Sequence, residues 1–203
     1  MHLTRLLLDP RSAQARRDLA DPYDMHRSLT RAFVSDASQT PPRFLWRLEA
    51  GSVWSDPVVL VQSVHAADWA LLRMLPGYLK RDVEAKAVDL QQLLDDGMRY
   101  RFRLYANPTV TREGKRYGLV SEDAQLGWLG RQGERSGFTV EAALVTSNDL
   151  LTSRQGGASI TLQRACFEGI FKAKNSAALA GALQAGIGPG KAFGCGLLSV
   201  VRC

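Results

Sequence analysis

Apolar and polar positions along the chain switch between a period of about two and a period near 3.6, and each switch predicts a new element. Residues 2–8 form an apolar run of strand length. Residues 11–17 are polar and basic and read as a loop. Asp21 is then placed to cap a helix, with Pro22 at its first position. Met25, Leu29, Ala32 and Phe33 follow at helical spacing as a buried stripe, while Tyr23, Arg27, Thr30 and Arg31 take the opposite face. His26 sits at the edge between the two. Residues 43–49 alternate as a strand with Phe44, Trp46 and Leu48 on one side, and the β-branched run 58–64 reads as a buried strand. A second helix begins over 68–72, Pro76-Gly77 breaks the chain, and 85–90 predicts a short fourth strand.

The second half repeats this order. In 98–105, Tyr100, Phe102 and Leu104 face one way and Arg99, Arg101 and Arg103 the other. Asn107-Pro108 ends that strand, and 115–120 is expected to pair back on it. Ser121 is placed to cap a helix through Leu126, Trp128 and Leu129. Strands over 138–145 and 159–171 flank Gly156-Gly157. Ser176 is expected to cap a last helix through Leu179 and Leu183, with Gly186 as its C-cap, and 197–201 closes the sheet. Strand, helix, strand, strand, helix, strand is the split βαβ order. The expectation is an α+β chain of two tandem ferredoxin-like (βαββαβ) domains, 1–90 and 91–203. The opening strands of the second half also fit one long hairpin.

Composition narrows the function classes. The 203 residues are 45% hydrophobic and 23% charged, ordinary for a globular protein. No apolar run approaches the roughly 18 residues of a membrane helix. Asp9, Pro10 and a basic stretch stand where a signal peptide needs an apolar core. A soluble, cytoplasmic protein with no membrane partner is expected. The net charge of +6 favours a polyanionic partner, most simply nucleic acid. Cys166, Cys195 and Cys203 form no C-x-x-C pair and suit a reducing compartment. The three histidines, His2, His26 and His65, show no metal-ligand spacing, so neither metal nor cofactor is expected.

Two places could carry chemistry. The first is the tail, where five glycines and Pro189 lie between Gly186 and Gly196. Backbone N–H groups in such a loop can cradle an anion beside Lys191, or the loop can be a tight helix-to-strand connection. It does not match G-x-x-x-x-G-K-[ST]. The second is the helix after Asp21. Tyr23 and His26 are three apart and share a face, Arg27 is beside them, and a helix N-terminus favours phosphate. An imidazole, a phenol and a guanidinium suit RNA cleavage by transesterification, in which a 2′-hydroxyl attacks phosphorus, a base takes its proton and an acid protonates the leaving 5′-oxygen. From the residues alone, His26 fits a packed core histidine as well as a catalyst, and Arg27 and Arg31 fit a solvated face. The Arg99, Arg101, Arg103 row fits solvent or a single-stranded RNA platform.

The segment 16–27, Arg-Arg-Asp-Leu-Ala-Asp-Pro-Tyr-Asp-Met-His-Arg, resembles the first-helix segment of the CasE family, the repeat-processing endoribonucleases of type I-E CRISPR systems. Phe102 to Pro108 is similar to that family's central strand and Asn-Pro turn. Phe167-Glu168-Gly169 and 186–199 are similar to its C-terminal motifs. The resemblance implies tandem ferredoxin-like domains and metal-independent cutting of the repeat hairpin in the CRISPR precursor transcript. It also implies a 2′,3′-cyclic phosphate and a 5′-hydroxyl as products, and retention of the crRNA with other Cascade subunits. Tyr23 and His26 fall where the family places its catalytic pair. The family often carries a basic run in a stem-reaching loop; in 153–159 Arg154 is the only charge. Stem contacts then fall on Arg154 and Arg164, or on Lys115 and Arg116, with Arg27, Arg31 and Lys191 as further RNA contacts. A non-catalytic RNA-binding scaffold of the same architecture is the alternative.

Overall fold

Asp9 opens the first turn of the computed structural model by accepting hydrogen bonds from the backbone and side chain of Arg11. The structure describes residues 1–36, 38–49, 51, 55–155 and 158–203, with Arg154, Gln155 and Ala158 described by backbone alone. Strand β1 (His2–Leu7) precedes that turn, and helix α1 (Ala13–Ala20) follows it. Residues 11–17 are therefore mostly helical rather than a loop. Its buried residues are Ala15 and Asp18, one small and one charged, so no apolar stripe marks the helix in the sequence. Asp21 ends α1 in an extended conformation (φ −135°) and at the same time caps α2 (Pro22–Thr30), its carboxylate accepting from Tyr23 N at 2.8 Å. Pro22 enforces the break, since it lacks an N–H and disfavours a helical residue before it.

Strands β2 (Phe44–Leu48) and β3 (Val58–Ser63), helix α3 (Ala70–Met74) and strand β4 (Glu84–Ala87) follow. They form a sheet in the order β2-β3-β1-β4, with β3 antiparallel to β1 and β2, and β4 antiparallel to β1. Phe44 and Trp46 face a core with Leu6, Leu8, Met25, Leu29, Val59, Val61, Leu72 and Tyr78. Leu45 and Arg47 on the opposite face of β2 are buried as well, so the alternation of that strand is not one of exposure.

After a short α4 (Leu90–Leu93), strand β5 (Arg99–Ala106) begins the second repeat. Strands β6 (Thr109–Arg112) and β7 (Lys115–Gly118) pair with each other across Glu113 and Gly114, both at positive φ, as a two-residue hairpin turn requires. The segment 115–120 thus pairs with β6 and not with β5. Helix α5 (Glu122–Arg135), strands β8 (Phe138–Gln155) and β9 (Ala158–Ala173), helix α6 (Ser176–Ala185) and strand β10 (Leu198–Arg202) complete the chain. Their sheet runs β10-β5-β9-β8, the same permutation as the first, so two ferredoxin-like βαββαβ repeats follow one another in an α+β chain. Asn175 rather than Ser176 caps α6, accepting from Ala178 N at 2.8 Å, while the Ser176 N–H donates to Asp96. Gly156 and Gly157, expected between strands, lie outside the described residues.

The chain forms two compact units. One comprises Met1–Val88 with Ser153–Ser159 and Ala192–Gly194; the other comprises Asp89–Thr152, Ile160–Lys191 and Cys195–Cys203. In the second, Phe138 packs on Phe171 with centroids 4.4 Å apart, and Trp128 stacks on Phe167 at 6.0 Å. Gly169 of β9 lies so close to β8 that a Cβ would fall 2.0 Å from Ala142 O. No described helix is long and apolar enough to cross a membrane.

Candidate functional site

Helix α2 carries Tyr23, His26 and Arg27. Its N-terminus is held twice through one carboxylate: Asp21 Oδ1 accepts from Tyr23 N and, at 2.6 Å, from Ser153 Oγ. Ser153 belongs to the same compact unit as α2. Asp24, in the first turn, accepts from Arg17 Nε at 2.9 Å and lies 3.6 Å from an Arg27 nitrogen. Arg27 is exposed, so this long contact contributes little.

His26 is half-buried. Its ring stacks on Phe44, centroids 4.9 Å apart and planes 19° from parallel, and Phe44 in turn stacks on Phe33 at 4.5 Å. The Nδ1 atom is buried with no hydrogen-bond partner among the described residues. Burial pushes the imidazole pKa below its ordinary value, which favours the neutral ring at neutral pH. The carbonyl of His26 accepts from Thr30 Oγ1 at 2.8 Å, a helical back-bond that leaves the ring untouched. Tyr23 is half-buried one turn earlier, and no hydrogen bond joins it to His26 among the described residues. The pair shares one helix, as expected from its spacing. The ring beneath His26 was not foreseeable, because Phe44 lies 18 positions later and nothing local links it to the helix.

The remaining candidates occupy several places. Arg31 follows α2 and lines a shallow groove with Val34, Asp36, Leu71 and Met74. Lys115 and Arg116 are exposed on β7. Arg164 on β9 makes a two-pronged ion pair with Asp149, at 3.0 and 2.7 Å, and its guanidinium lies 5.7 Å from the Tyr105 ring centroid. The side chain of Arg154 lies outside the described residues. In the arginine row of β5, Arg99 pairs with Glu141 at 2.8 Å and Arg103 with Glu168 at 2.7 Å. These carboxylates come from β8 and β9, whereas the sequence of β5 displays only its own alternation.

The glycine loop is largely self-satisfied. The N–H of Ile187 donates to Gly196 O at 2.9 Å, and that of Gly196 to Tyr105 O at 2.6 Å. Lys191 Nζ donates to Gly188 O at 2.6 Å. Gly188 has φ +78°, and a Cβ there would meet the Trp128 ring at 2.8 Å, so this corner admits no side chain on two grounds. These bonds describe a tight connection between α6 and β10.

The chain matches the family described as CRISPR associated protein over residues 1–202. It is 36% identical to the CRISPR-associated endoribonuclease Cse3 of Thermus thermophilus, with 98% of this chain and 99% of Cse3 covered. It is 27% identical to CasE, a CRISPR system Cascade subunit of Escherichia coli K12, with 98% of each covered. Among solved structures, Thermus thermophilus Cse3 bound to an RNA representing a pre-cleavage complex is similar at a TM-score of 0.87, with 35% identity and 98% of both chains covered. The helix that carries Tyr23 and His26, the two sheets and the glycine loop thus lie within one alignment that runs the length of the protein, and this chain belongs to the CRISPR-associated protein family.

Proposed function

We propose that the protein is the endoribonuclease that cuts the repeat hairpin of the CRISPR precursor transcript and keeps the product as a Cascade subunit, in the cytoplasm. The observation that carries this reading is the end-to-end similarity to Cse3, including a complex with RNA before cleavage. The similarity to CasE supports the Cascade part.

Chemically, α2 supplies two groups able to handle protons. The 2′-oxygen of the nucleotide before the cut attacks phosphorus and loses its proton to a base. The P–O5′ bond breaks as an acid donates a proton to O5′. The products are a 2′,3′-cyclic phosphate and a 5′-hydroxyl, and the proton count balances without a metal. Nδ1 of His26 is enclosed, so Nε2 is the nitrogen assigned to the RNA. Its burial-depressed pKa keeps it neutral and suits the base role in the free protein, leaving Tyr23 as the donor. Arg27 and Arg31 in the first unit, and Lys115, Arg116, Arg164 and Lys191 in the second, are assigned to phosphate contacts, together with Arg154. The alternative is an RNA-binding scaffold in which Tyr23 and His26 only pack; the His26–Phe44 stack is the observation that favours it.

The test is a labelled repeat hairpin incubated with protein and EDTA. Cutting that survives the chelator, and stops when the nucleotide 5′ of the cut lacks its 2′-hydroxyl, is expected. Tight binding with no cutting would leave only the scaffold.

A further inference from the structure

The first unit buries a carboxylate for which the chemistry above has no role. Asp18 on α1 is 1% exposed. Its Oδ2 accepts from the Tyr78 hydroxyl at 2.7 Å and its Oδ1 from Gln14 Nε2 at 2.8 Å. No cation bonds it among the described residues. A buried carboxyl group held only by neutral donors is seldom the most stable choice for a core, where an apolar side chain of similar volume does as well or better. Its place in the core calls for another account.

The network's other contacts supply one. The Gln14 amide lies 3.5 Å from Ser28 Oγ, and the Tyr78 oxygen 4.0 Å from Met25 Sδ. Met25 and Ser28 are on α2 and bracket His26 in sequence. Tyr78 itself is 0% exposed and tied by its backbone, its N–H donating to Leu75 O at 3.2 Å and its carbonyl accepting from Asp9 N at 3.0 Å. A fixed residue from the loop after α3 thus reaches through the α1 carboxylate to the turn of α2 that holds His26. Apolar packing alone tolerates sliding and rotation of a nine-residue helix. Both contacts to α2 are long, so the short Tyr78–Asp18–Gln14 bonds act on it by fixing α1, against which α2 packs, and a shift of about 1 Å in a reacting group can cost a hundredfold in rate.

We propose that Asp18 and Tyr78 are positioning residues for the cleavage reaction, fixing the rotation and axial placement of α2 so that Tyr23 and His26 meet the scissile phosphate. The proposal rests on the reading of Tyr23 and His26 as the catalytic pair. Tyr78→Phe deletes one oxygen and leaves the ring volume. Asp18→Leu deletes both acceptors. Asp18→Asn can preserve both bonds, because its Oδ1 still accepts from Tyr78 while Nδ2 donates to Gln14 once that amide turns over.

The experiment measures three things on the full chain: single-turnover cleavage of saturating repeat hairpin, hairpin affinity, and the NMR resonances of the His26 imidazole in the free protein. Tyr78→Phe and Asp18→Leu are expected to slow cleavage at least tenfold with affinity within about twofold, and to move the His26 resonances. Asp18→Asn is expected to restore rate and resonances to near wild type, and Tyr78→Phe to have no further effect in a His26→Ala background. Unmoved resonances in Tyr78→Phe would overturn the proposal, whether or not rate and affinity fall together. Should Asp18→Leu fail to fold, Tyr78→Phe and Asp18→Asn make the same comparison. If His26→Ala cuts like wild type, the catalytic reading fails, and the resonances still decide whether Tyr78 sets the placement of α2.

Discussion

The imidazole of His26 lies flat on the ring of Phe44, 4.9 Å between centroids, with Nδ1 enclosed and unpartnered. A ring so placed resists protonation, so its folded pKa is below the ordinary imidazole value of about 6.5. The unfolded chain then binds the proton more readily between those two values. The contribution to stability is complete above about pH 6.5 and is lost as pH falls toward the folded value. Urea midpoints measured from pH 8 to pH 5 are expected to fall more steeply for wild type than for His26→Asn. Equal slopes would show that the ring protonates as easily folded as unfolded.

His26→Ala is expected to reduce single-turnover cleavage by about 10²- to 10⁴-fold, the usual scale for a lost general acid or base. Hairpin affinity should stay within a few-fold, because α2 keeps its cap and its core face. An affinity loss as large as the rate loss, read from a gel-shift titration beside the cleavage time course, would make the residue structural.

Lys191→Ala is expected to weaken hairpin binding more than it slows cleavage of saturated RNA. The ammonium bonds Gly188 O at 2.6 Å, so the variant also loosens the loop corner. A rate defect at saturation with unchanged affinity would instead place Lys191 in the chemical step.

Asp21→Ala removes the acceptor for both Tyr23 N and Ser153 Oγ. Loss of a cap of this kind costs about 1 kcal/mol. Ser153→Ala leaves the helix cap intact and should cost less. Denaturant unfolding of the two variants checks the order.

Gly169→Ala should be among the most damaging small changes in the second unit. The added methyl would stand 2.0 Å from Ala142 O, and backbone rather than a side-chain end would have to move. Overpacking of this kind costs about 1–3 kcal/mol. A thermal midpoint within a degree of wild type would mean that β8 yields freely there.

The alternation of Tyr100, Phe102 and Leu104, the β-branched run of β3 and the Asp21-Pro22 signal each announced their element, because in each the local pattern and the tertiary environment agree. The doubled strand order then followed from element sequence alone. Helix α1 was hidden because its buried face is Ala15 and Asp18, which carries no hydrophobic periodicity. The sequence does not single out Asn175 as the cap of α6, because Ser176, one position on, is an equally good candidate by type. The pairing of β7 with β6 depended on a Glu113-Gly114 turn whose left-handed pair is a weaker signal than Asn-Gly. At the candidate site, the Tyr23 and His26 spacing was readable. Phe44 beneath the imidazole, Ser153 on the cap and Glu141 and Glu168 beside the arginine row were not, since each is contributed by a distant part of the chain.

The ion pair of Arg164 with Asp149 carries a consequence for how ionic strength acts on RNA affinity. A lysine or arginine that is bare in the free protein releases condensed cations from the polynucleotide when it docks, and this steepens the salt dependence. To make the phosphate contact proposed for it, Arg164 must first let go of Asp149, whose carboxylate is then left to solvent cations. Uptake at the abandoned carboxylate offsets release from the phosphate. In the proposed complex Arg164 would then steepen log affinity against log salt less than a bare arginine does.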